Sequence, residues 1–405
     1  MVRKNTLKVL HVFGGIRAYK MCKSLAENGF EVYALTLENP MPYIEYLKHK
    51  NIHLISRFTS LYEKIKGFRF SLFKLHFIFY PFFIPEVIKI CKKNKIKLIH
   101  AHRHTGAIVT LLAKKFGKLD CKIIFDYHDP LEVENKNRDN LLIRIFHKIE
   151  KWICFNSNFI ITQGEEHDKL LIKRWKIPKE KINHIYNSVD IKIFNPRKKS
   201  RYFLNKFGIK DKTVLFVGSI VPCFGIHNLV QAAKKVVEKV HKVKFLIRGV
   251  IRDKKYFEWI KNEIKKNKLE KNFIWLPYLS QDEMTKLIAS CDIGIILHVK
   301  GYLITETAIP NKIFEYMASG IPVISNNLPN LTRFVKHNYS GLVCNTDNPK
   351  ELAEALIKLL KDSNLRKKLG KGGRLLCEKK FNWKIESKKL IKIYLELLEQ
   401  DYIKK

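Results

Sequence analysis

The chain has 405 residues, with 77 Lys and Arg against 38 Asp and Glu, which gives a formal net charge of +39. This length is too great for one hydrophobic core, so two domains of about 200 residues each are expected. The charge predicts contact with polyanions such as nucleic acid, an anionic membrane face or a phosphorylated substrate. Because the basic residues are scattered over amphipathic helices, a specific nucleic-acid partner is not expected.

The cysteines and the N-terminus indicate the compartment. Eight cysteines are spread singly, without a C-x-x-C pair, which is typical of idle thiols in a reducing cytosol and argues against a disulfide framework or a zinc site. The start of the chain is polar, and the apolar run at 9–13 is too short for a secretory signal. We therefore expect a cytoplasmic protein.

The predicted elements alternate between short apolar strands and amphipathic helices. In the first half, strands are expected at 7–13, 31–37, 97–101, 122–127, 159–162 and 181–185, with helices at 19–28, 106–116 and 141–156. The polar, proline-containing segment 195–200 is interpreted as a linker. Beyond it, strands are expected at 214–217, 244–248, 272–275, 293–297, 323–325 and 341–343, with helices at 225–240, 256–267, 281–290, 349–360, 364–380 and 383–399. This alternation predicts an α/β fold of two doubly wound, Rossmann-like domains.

One segment, 68–90, is rich in Phe, Ile and Leu. Charged residues and prolines interrupt it before an apolar span of about 20 residues is reached. Lys64, Lys66, Arg69 and Lys74 accompany its aromatic residues. We interpret it as a buried helix and loop, with peripheral docking on the anionic inner membrane face as the alternative.

The segment 310–324 carries the clearest functional pattern, an anion-binding helix start. Pro310 suits the first helical position, and the amides of Asn311, Lys312 and Ile313 have no partner inside a helix. These amides can bind phosphate oxygens, and Lys312 adds a full positive charge. Glu315 can accept two hydrogen bonds, which fits the hydroxyls of a ribose. An ordinary helix with both charged side chains solvated is the alternative.

The same segment resembles the donor-nucleotide helix of the GT-B glycosyltransferases of the retaining family-four type, in the subgroup with P-N-K-x-F-E-Y. The resemblance continues along nearly the whole chain, in family order, at 14–15, 128–129, 187–190 and 217–219. It implies an acceptor-side domain at 1–196, a nucleotide-sugar-binding domain at 201–382, and a C-terminal helix at 383–405 that returns to the first domain. The ligand cleft is expected between the two domains.

The resemblance also implies a reaction. A hexose-type sugar would move from a UDP- or GDP-linked donor to a glycan or lipid-linked acceptor, with retention of configuration. No cofactor is expected, and no metal, because the chain lacks the D-x-D of metal-dependent GT-A enzymes and a helix start can replace the cation.

Residue roles follow from the same resemblance. His128, at the end of a predicted strand, would contact the transferred sugar or the acceptor side, and imidazole can give or take a hydrogen bond there. The expected nucleotide-sugar site comprises Gly218, Ser219, Arg248, Thr307, Asn311, Lys312, Ile313 and Glu315. The expected acceptor side of the cleft comprises Gly14, Gly15, Arg17, His102 and His104, although a solvated Arg17 is the alternative.

Two departures from the family pattern leave alternatives open. The loop 219–225 lacks the usual Arg and Lys, which shifts the cationic role to Lys312 and Arg248. Thr307 stands where the first of two glutamates is usual, with Glu306 one position earlier, so the donor sugar could meet either residue or Asn311. A basic membrane- or nucleic-acid-binding protein with a vestigial cleft, and a sugar-nucleotide epimerase, are therefore alternative functions.

Overall fold

The protein is described here from a computed structural model, over residues 7–36, 44, 46–56, 80–130 and 141–399. Two compact units divide the chain: Met1–Ile185 together with Ser387–Lys405, and Tyr186–Glu386. The division falls before the predicted linker at 195–200, because that segment packs within the second unit. There the Ser200 amide donates to the Ser290 hydroxyl oxygen at 2.8 Å.

The first unit is built on a seven-stranded parallel sheet, as the alternating pattern predicted. Its strands in chain order are β1 Lys8–Val12, β2 Glu31–Leu35, β3 Ile52–Ile55, β4 Leu98–His102, β5 Lys122–Asp126, β6 Phe159–Thr162 and β7 Ile182–His184. The spatial order is β3-β2-β1-β4-β5-β6-β7. The order changes direction between β1 and β4, and ligands of such sheets bind outside the carboxyl ends of the strands at this switch point.

Helices connect these parallel strands. They are α1 Ile16–Glu27, α2 Ile84–Asn94, α3 Arg103–Gly117, α4 Leu141–Asn156 and α5 Glu165–Trp175. The last helix of the chain, Trp383–Glu399, begins in the second unit, and its residues from Ser387 onward belong to the first. Its Tyr394 is fully buried, with its ring edge against Phe30.

The second unit contains a six-stranded parallel sheet with the same pattern of order. Its strands are β8 Lys212–Val217, β9 Val243–Arg248, β10 Phe273–Trp275, β11 Ile293–Ile296, β12 Val323–Asn326 and β13 Gly341–Cys344, arranged β10-β9-β8-β11-β12-β13. Its helices are α6 Arg201–Asn205, α7 Ile226–Lys239, α8 Lys254–Lys266, α9 Gln281–Ser290, α10 Leu303–Thr307, α11 Asn311–Ala318, α12 Pro329–Thr332, α13 Pro349–Lys361 and α14 Ser363–Lys379, and Trp383–Glu399 follows as α15.

Close packing fixes α11 against this second sheet. Gly294 in β11 lies directly under the ring of Tyr316, and a Cβ there would come 2.4 Å from the ring. The Tyr316 hydroxyl donates to the carbonyl oxygen of Leu215 at 3.3 Å. Both contacts hold α11 on the sheet, with its N-terminus at the carboxyl ends of the strands, because the chain reaches α11 from the end of β11.

The apolar segment at 68–90 is described only in part. Residues 57–79, which include Lys64, Lys66, Arg69 and Lys74, lie outside the described residues. The remainder forms a short 3₁₀ turn, Tyr80–Phe83, followed by α2, which buries Val87, Ile90 and Cys91. No helix in the described part of the chain has both the length and the apolar character needed to cross a bilayer.

Candidate functional site

The first site feature is a buried carboxylate, Asp126, at the carboxyl end of β5. Arg17 on α1 donates from Nε to both carboxylate oxygens, at 3.2 and 3.1 Å, and from Nη2 to Oδ1 at 3.2 Å. The same guanidinium also donates to the carbonyl oxygens of Ile185 and Thr162, at 2.8 and 3.3 Å. Burial alone would raise the pKa of the Asp126 carboxyl, but the Arg17 charge holds that pKa well below its usual range.

This ion pair corrects the expected role of Arg17. The side chain neither reaches toward an acceptor phosphate nor lies in solvent, since it is only 4% exposed. It compensates a fully buried carboxylate and satisfies two strand-end carbonyls, and those partners occupy its donor groups.

Two histidines share Oδ2 of Asp126. Nδ1 of His102 lies 2.7 Å from it, and Nε2 of His128 lies 3.0 Å from it. An ionised carboxylate only accepts hydrogen bonds, so each of these ring nitrogens carries a proton. His128 is partly exposed, whereas His102 is completely buried. Nε2 of His128 therefore donates to Asp126, which holds this partly exposed ring in one orientation.

The hydrogen bonds continue from His102 into the interior. Nε2 of His102 lies 2.9 Å from Nδ1 of His11, and Nε2 of His11 lies 3.1 Å from the Tyr394 hydroxyl. That hydroxyl lies 2.5 Å from Nδ1 of His100. With His102 protonated on Nδ1, one consistent assignment follows: His11 Nδ1 donates to His102, Tyr394 donates to His11, and His100 donates to Tyr394. Burial lowers the pKa of all three histidines, which agrees with neutral rings.

Two subsets of this cluster bring possible metal-ligand atoms within 4.8 Å of one another, His11 with His100 and His102, and His102 with Asp126 and His128. They fit a cation poorly. Direct hydrogen bonds join several of these side chains, and the ring nitrogens that donate to Asp126 carry a proton where a metal would need a lone pair. The Arg17 cation already neutralises the carboxylate. We interpret the cluster as a hydrogen-bonded network that positions His128.

The remaining residues expected on the acceptor side also have local structural roles. His104 lies in the first turn of α3, is buried, and bonds through Nε2 to Oε2 of Glu150 at 3.1 Å. His102 and His104 thus point into the interior, which corrects the expectation that they line a pocket. A Cβ on Gly14 would lie 1.9 Å from Cβ of Ala18, so the absence of a side chain at Gly14 leaves room for the first turn of α1. Gly15 is the N-cap of α1.

In the second unit, α11 begins one residue later than predicted. Pro310 has φ −71° and ψ 129°, an extended conformation, and occupies the N-cap. Asn311 is the first helical residue. The Ile313 amide donates to the Pro310 carbonyl oxygen at 3.1 Å, so it is used within the turn. This corrects the expectation of three ligand-binding amides and leaves those of Asn311 and Lys312 at the helix end.

Lys312 and Glu315 form an ion pair with each other. Nζ of Lys312 lies 2.7 Å from Oε2 of Glu315, and the two side chains are 26% and 15% exposed. The sequence predicted separate roles for them, a cation for phosphate and an acceptor for ribose. The structure brings both groups together one turn from the helix start, where a ligand can contact either partner.

A cation that was not predicted from the sequence, Arg252, lies beside the Gly218-Ser219 turn. Gly249 packs closely against this turn: a Cβ added to it would lie 2.1 Å from the Gly218 carbonyl oxygen. This contact lets the loop after β9 run beside the turn after β8, and Nε of Arg252 donates to the Ser219 hydroxyl at 3.1 Å. Arg252 is exposed and supplies a guanidinium where the loop 219–225 has no basic residue. Loops that follow adjacent parallel strands lie beside each other. The position of Arg252 in the loop after β9 was therefore the sequence signal that could have identified this cation.

Arg248 at the end of β9 lies over an exposed aromatic ring. Its guanidinium carbon is 5.2 Å from the centroid of the Tyr278 ring, and Tyr278 is 71% exposed. Such a contact is a cation–π interaction. Arg248 is the last residue of β9 and so lies at the carboxyl edge of the sheet, and its contact with a nucleotide sugar stays a prediction.

The residues in place of the usual first glutamate are used locally. The Thr307 hydroxyl donates to the Leu303 carbonyl oxygen at 2.8 Å within α10, and Thr307 is buried. Oε1 of Glu306 accepts from the Gly301 amide at 2.8 Å. Both side chains stabilise the α10 segment, so the expected contact of Thr307 with the sugar would require its hydroxyl to serve two partners.

Comparison with known proteins agrees with this architecture. The family model "Glycosyltransferase Family 4" matches residues 14–193, and "Glycosyl transferases group 1" matches residues 197–376. An uncharacterized glycosyltransferase of Methanocaldococcus jannaschii is 22% identical over 407 residues, which cover 96% of both chains. N-acetyl-alpha-D-glucosaminyl L-malate synthase of Bacillus anthracis is 23% identical over 400 residues, which cover 96% of this chain and 94% of that protein.

Solved structures share the fold. The structure of Anabaena HepE in complex with UDP and glucose aligns with a TM-score of 0.74 and 15% identity, and covers 96% of this chain and 100% of that one. Two Rossmann-like sheets and matches to glycosyltransferases over both halves define a glycosyltransferase enzyme with the GT-B fold. The second half of the chain matches the family of glycosyl transferases group 1, and the first half matches glycosyltransferase family 4.

Proposed function

We propose that the enzyme moves a hexose-type sugar from a UDP- or GDP-linked donor to a glycan or lipid-linked acceptor, with retention of configuration and without a metal ion. The observation that carries this proposal is the start of α11, where two amides and the Lys312–Glu315 pair stand at the carboxyl edge of a parallel sheet. Helix starts at such edges bind phosphate groups, because unpaired amides and the helix dipole both favour an anion.

The donor diphosphate would bind to the Asn311 and Lys312 amides, with the Lys312 ammonium as counter-charge. Glu315 would accept hydrogen bonds from the ribose hydroxyls, since its carboxylate has further lone pairs beside Lys312. Arg248 at the end of β9 and Arg252 in the loop after that strand add guanidinium groups at the same edge of the sheet. These fixed cations support a metal-independent transfer, because they can stabilise the charge on the leaving diphosphate. The HepE complex with UDP and glucose supports a UDP-linked donor.

His128 would contact the transferred sugar. Its Nε2 donates to Asp126, which leaves Nδ1 for a hydrogen bond with a sugar hydroxyl. In the transfer, the bond between the anomeric carbon and the diphosphate oxygen breaks, and the acceptor oxygen bonds to the same carbon on the same face. The acceptor hydroxyl proton passes to the released diphosphate.

A panel of nucleotide sugars tests the proposed reaction. The purified protein is incubated with each donor and with glycan or lipid-linked acceptors, and mass spectrometry follows the release of nucleotide diphosphate and the gain of a sugar. NMR of the product reports whether the anomeric configuration is retained. If no donor turns over and no nucleotide diphosphate binds saturably, the proposal is wrong. A changed nucleotide sugar without any acceptor would indicate an epimerase.

Lys312→Ala is expected to weaken the binding of UDP or GDP by about 1.5 to 3 kcal/mol, because it removes a charged hydrogen bond to the diphosphate. Isothermal titration calorimetry measures the change. Lys350→Ala is the matched control, since Lys350 is the second residue of α13 as Lys312 is of α11. Equal losses in the two variants would show that Lys312 acts only through general charge.

His128→Ala is expected to lower turnover by about tenfold or more while nucleotide affinity changes little, because the lost hydrogen bond goes to the sugar and not to the nucleotide. Steady-state rates and calorimetric binding of the nucleotide diphosphate are measured on the same preparation. A loss of nucleotide affinity with an unchanged rate at saturating donor would contradict this role.

A further inference from the structure

Helix α4 of the first unit has an unusual exposed face. Four large apolar side chains are exposed on it: Leu141 at 74%, Ile145 at 41%, Trp152 at 39% and Phe155 at 49%. Their spacing of four, seven and three residues places them on one side of a helix, because residues so separated lie above one another. At about 100° per residue, they fall within an arc of about 80°.

Basic residues occupy the same side of α4. Arg144, Lys148 and Lys151 are exposed and extend that arc to about 120°. Nζ of Lys151 lies 5.8 Å from the centroid of the Phe155 ring, so charged and aromatic groups are interleaved. The only acidic residue in the α4 sequence is Glu150, which is buried on the opposite side.

The exposed face of α4 is separate from the side of the helix that packs in the core. The opposite side of α4 already packs on the sheet through Ile153 and Cys154, both fully buried in a cluster with Phe125. Among the described residues, the exposed row is therefore a second apolar surface of α4, apart from the side that packs on the sheet. From Leu141 to Phe155 it is about 21 Å long at 1.5 Å per residue.

We propose that this face, Leu141 to Phe155 of α4, docks on the surface of an anionic lipid bilayer. An amphipathic helix with aromatic and aliphatic residues among lysines and arginines lies in the plane of the interface, its apolar side chains among the acyl chains and its cations at the headgroups. A second copy of the chain fits less well, because a two-fold interface would place the same basic residues against each other. Nucleic acid would use the charges and leave Leu141 and Ile145 without a partner.

Docking in this way suits a lipid-linked acceptor. Helix α4 connects β5 to β6, so its Leu141 end lies toward the carboxyl edge of the sheet, where β5 ends at Asp126 and His128 follows. A bilayer along α4 would therefore lie on the same unit as His128 and beside that edge. This consequence for the acceptor rests on the proposed function, whereas the docking itself does not.

Vesicle binding of the whole protein tests the proposal. Vesicles of phosphatidylcholine, with and without phosphatidylglycerol, are sedimented with the protein in the absence of donor and acceptor, at low and high salt. Binding is expected only with phosphatidylglycerol, and it should weaken as salt screens the headgroups. Equal binding to neutral vesicles, or no binding to anionic ones, would overturn the proposal.

Two variants locate the docking face. Trp152→Ser with Phe155→Ser removes apolar contacts, and Lys148→Glu with Lys151→Glu reverses two charges; each is expected to lower vesicle partitioning about tenfold or more. All four side chains are exposed, so both variants should keep the circular dichroism spectrum of the parent protein. Partitioning unchanged in both folded variants would overturn the proposal.

Helix α8 offers matched controls in the other unit. Trp259→Ser removes one exposed aromatic residue, and Lys265→Glu with Lys266→Glu reverses two exposed charges; each should leave partitioning within about twofold. A loss equal to that of the α4 variants would show binding by overall charge and overturn the proposal. The proposal would also be wrong if the Trp152 and Phe155 changes converted a dimer to a monomer. It would likewise be wrong if oligonucleotide affinity depended on Lys148 and Lys151 more strongly than vesicle binding does.

The outcome is independent of transfer activity. The vesicle assay contains no sugar nucleotide, so failure of the proposed reaction would leave its result intact. Conversely, α4 variants that lose vesicle binding are expected to keep their rate with a water-soluble acceptor, since α4 contributes no residue to the proposed donor site. A soluble-acceptor rate that falls in step with vesicle binding would contradict the separation of docking from catalysis.

Discussion

Asp126→Ala is expected to lower the free energy of unfolding by about 3 to 5 kcal/mol, because it leaves the buried Arg17 guanidinium without its counter-charge. Both side chains are almost completely buried, so solvent cannot replace the lost partner. His102 and His128 lose their common acceptor at the same time. Urea denaturation followed by circular dichroism measures the change.

A surface ion pair of the same unit provides the control. Asp120 pairs with Lys97, and Asp120 is 91% exposed. Asp120→Ala should therefore change stability by less than about 1 kcal/mol. Adding Arg17→Met to Asp126→Ala should restore part of the loss, because the uncompensated charge is then absent. An Asp126→Ala protein as stable as the Asp120→Ala protein would show that Arg17 reaches another partner or water.

Acidification from about pH 7.5 to about pH 5 is expected to lower the free energy of unfolding by several kcal/mol. Burial lowers the pKa of His167 and of His298 to about 4, whereas an unfolded histidine titrates near about 6.5. As the pH falls below about 6.5, the unfolded chain takes up protons that the folded protein does not, so stability decreases. At about pH 5 each of these two residues costs about 2 kcal/mol.

The pKa of the network histidines His11, His100 and His102 is also lowered by burial, and they add to this loss. Denaturation midpoints across the pH range measure the sum. His298→Gln should flatten the pH dependence, while His241→Gln, at an exposed position, should leave it as in the parent protein. If stability stayed constant down to about pH 5, the buried rings would have to be charged in the folded state, and the neutral chain of hydrogen bonds would be wrong.

The network has a consequence for His128 as well. Its orientation depends on Asp126, which in turn depends on Arg17 and on the buried ring of His102. Tyr394, from the last helix of the chain, closes the far end of the same network. Residues far apart in sequence therefore set the geometry of one partly exposed imidazole, and a change in any of them should alter the orientation of the His128 ring.

Most of the fold could be predicted from the sequence. Strand 159–162 and helices 141–156, 281–290 and 383–399 lie where the periodicity placed them. Their patterns are long or strongly apolar and have clear ends. Two elements of the first unit were missed: β3, a short strand of partly exposed residues at the sheet edge, and α5, a helix rich in charged residues with little apolar periodicity.

The candidate site could be predicted only in part. The chemistry of Pro310 to Glu315 and of His128 depends on residue type and on position at a strand or helix end, and both can be read from the sequence. Arg17 shows the limit of such reasoning. An arginine after a glycine pair suggests a ligand-binding residue. Only the tertiary structure shows that Arg17 forms an ion pair with Asp126, which is distant in sequence.

By itself, the sequence determined the alternating strands and helices, the two parallel-sheet domains and, to within one residue, the helix start after Pro310, because these depend on local periodicity and on nearby residues. Only the tertiary structure decided which polar groups find each other: Arg17 with Asp126, Lys312 with Glu315, and Arg252 with Ser219. The physical reason is that an ionic or hydrogen-bonding side chain acts through its partners, and a partner many residues away is brought near only when the chain folds.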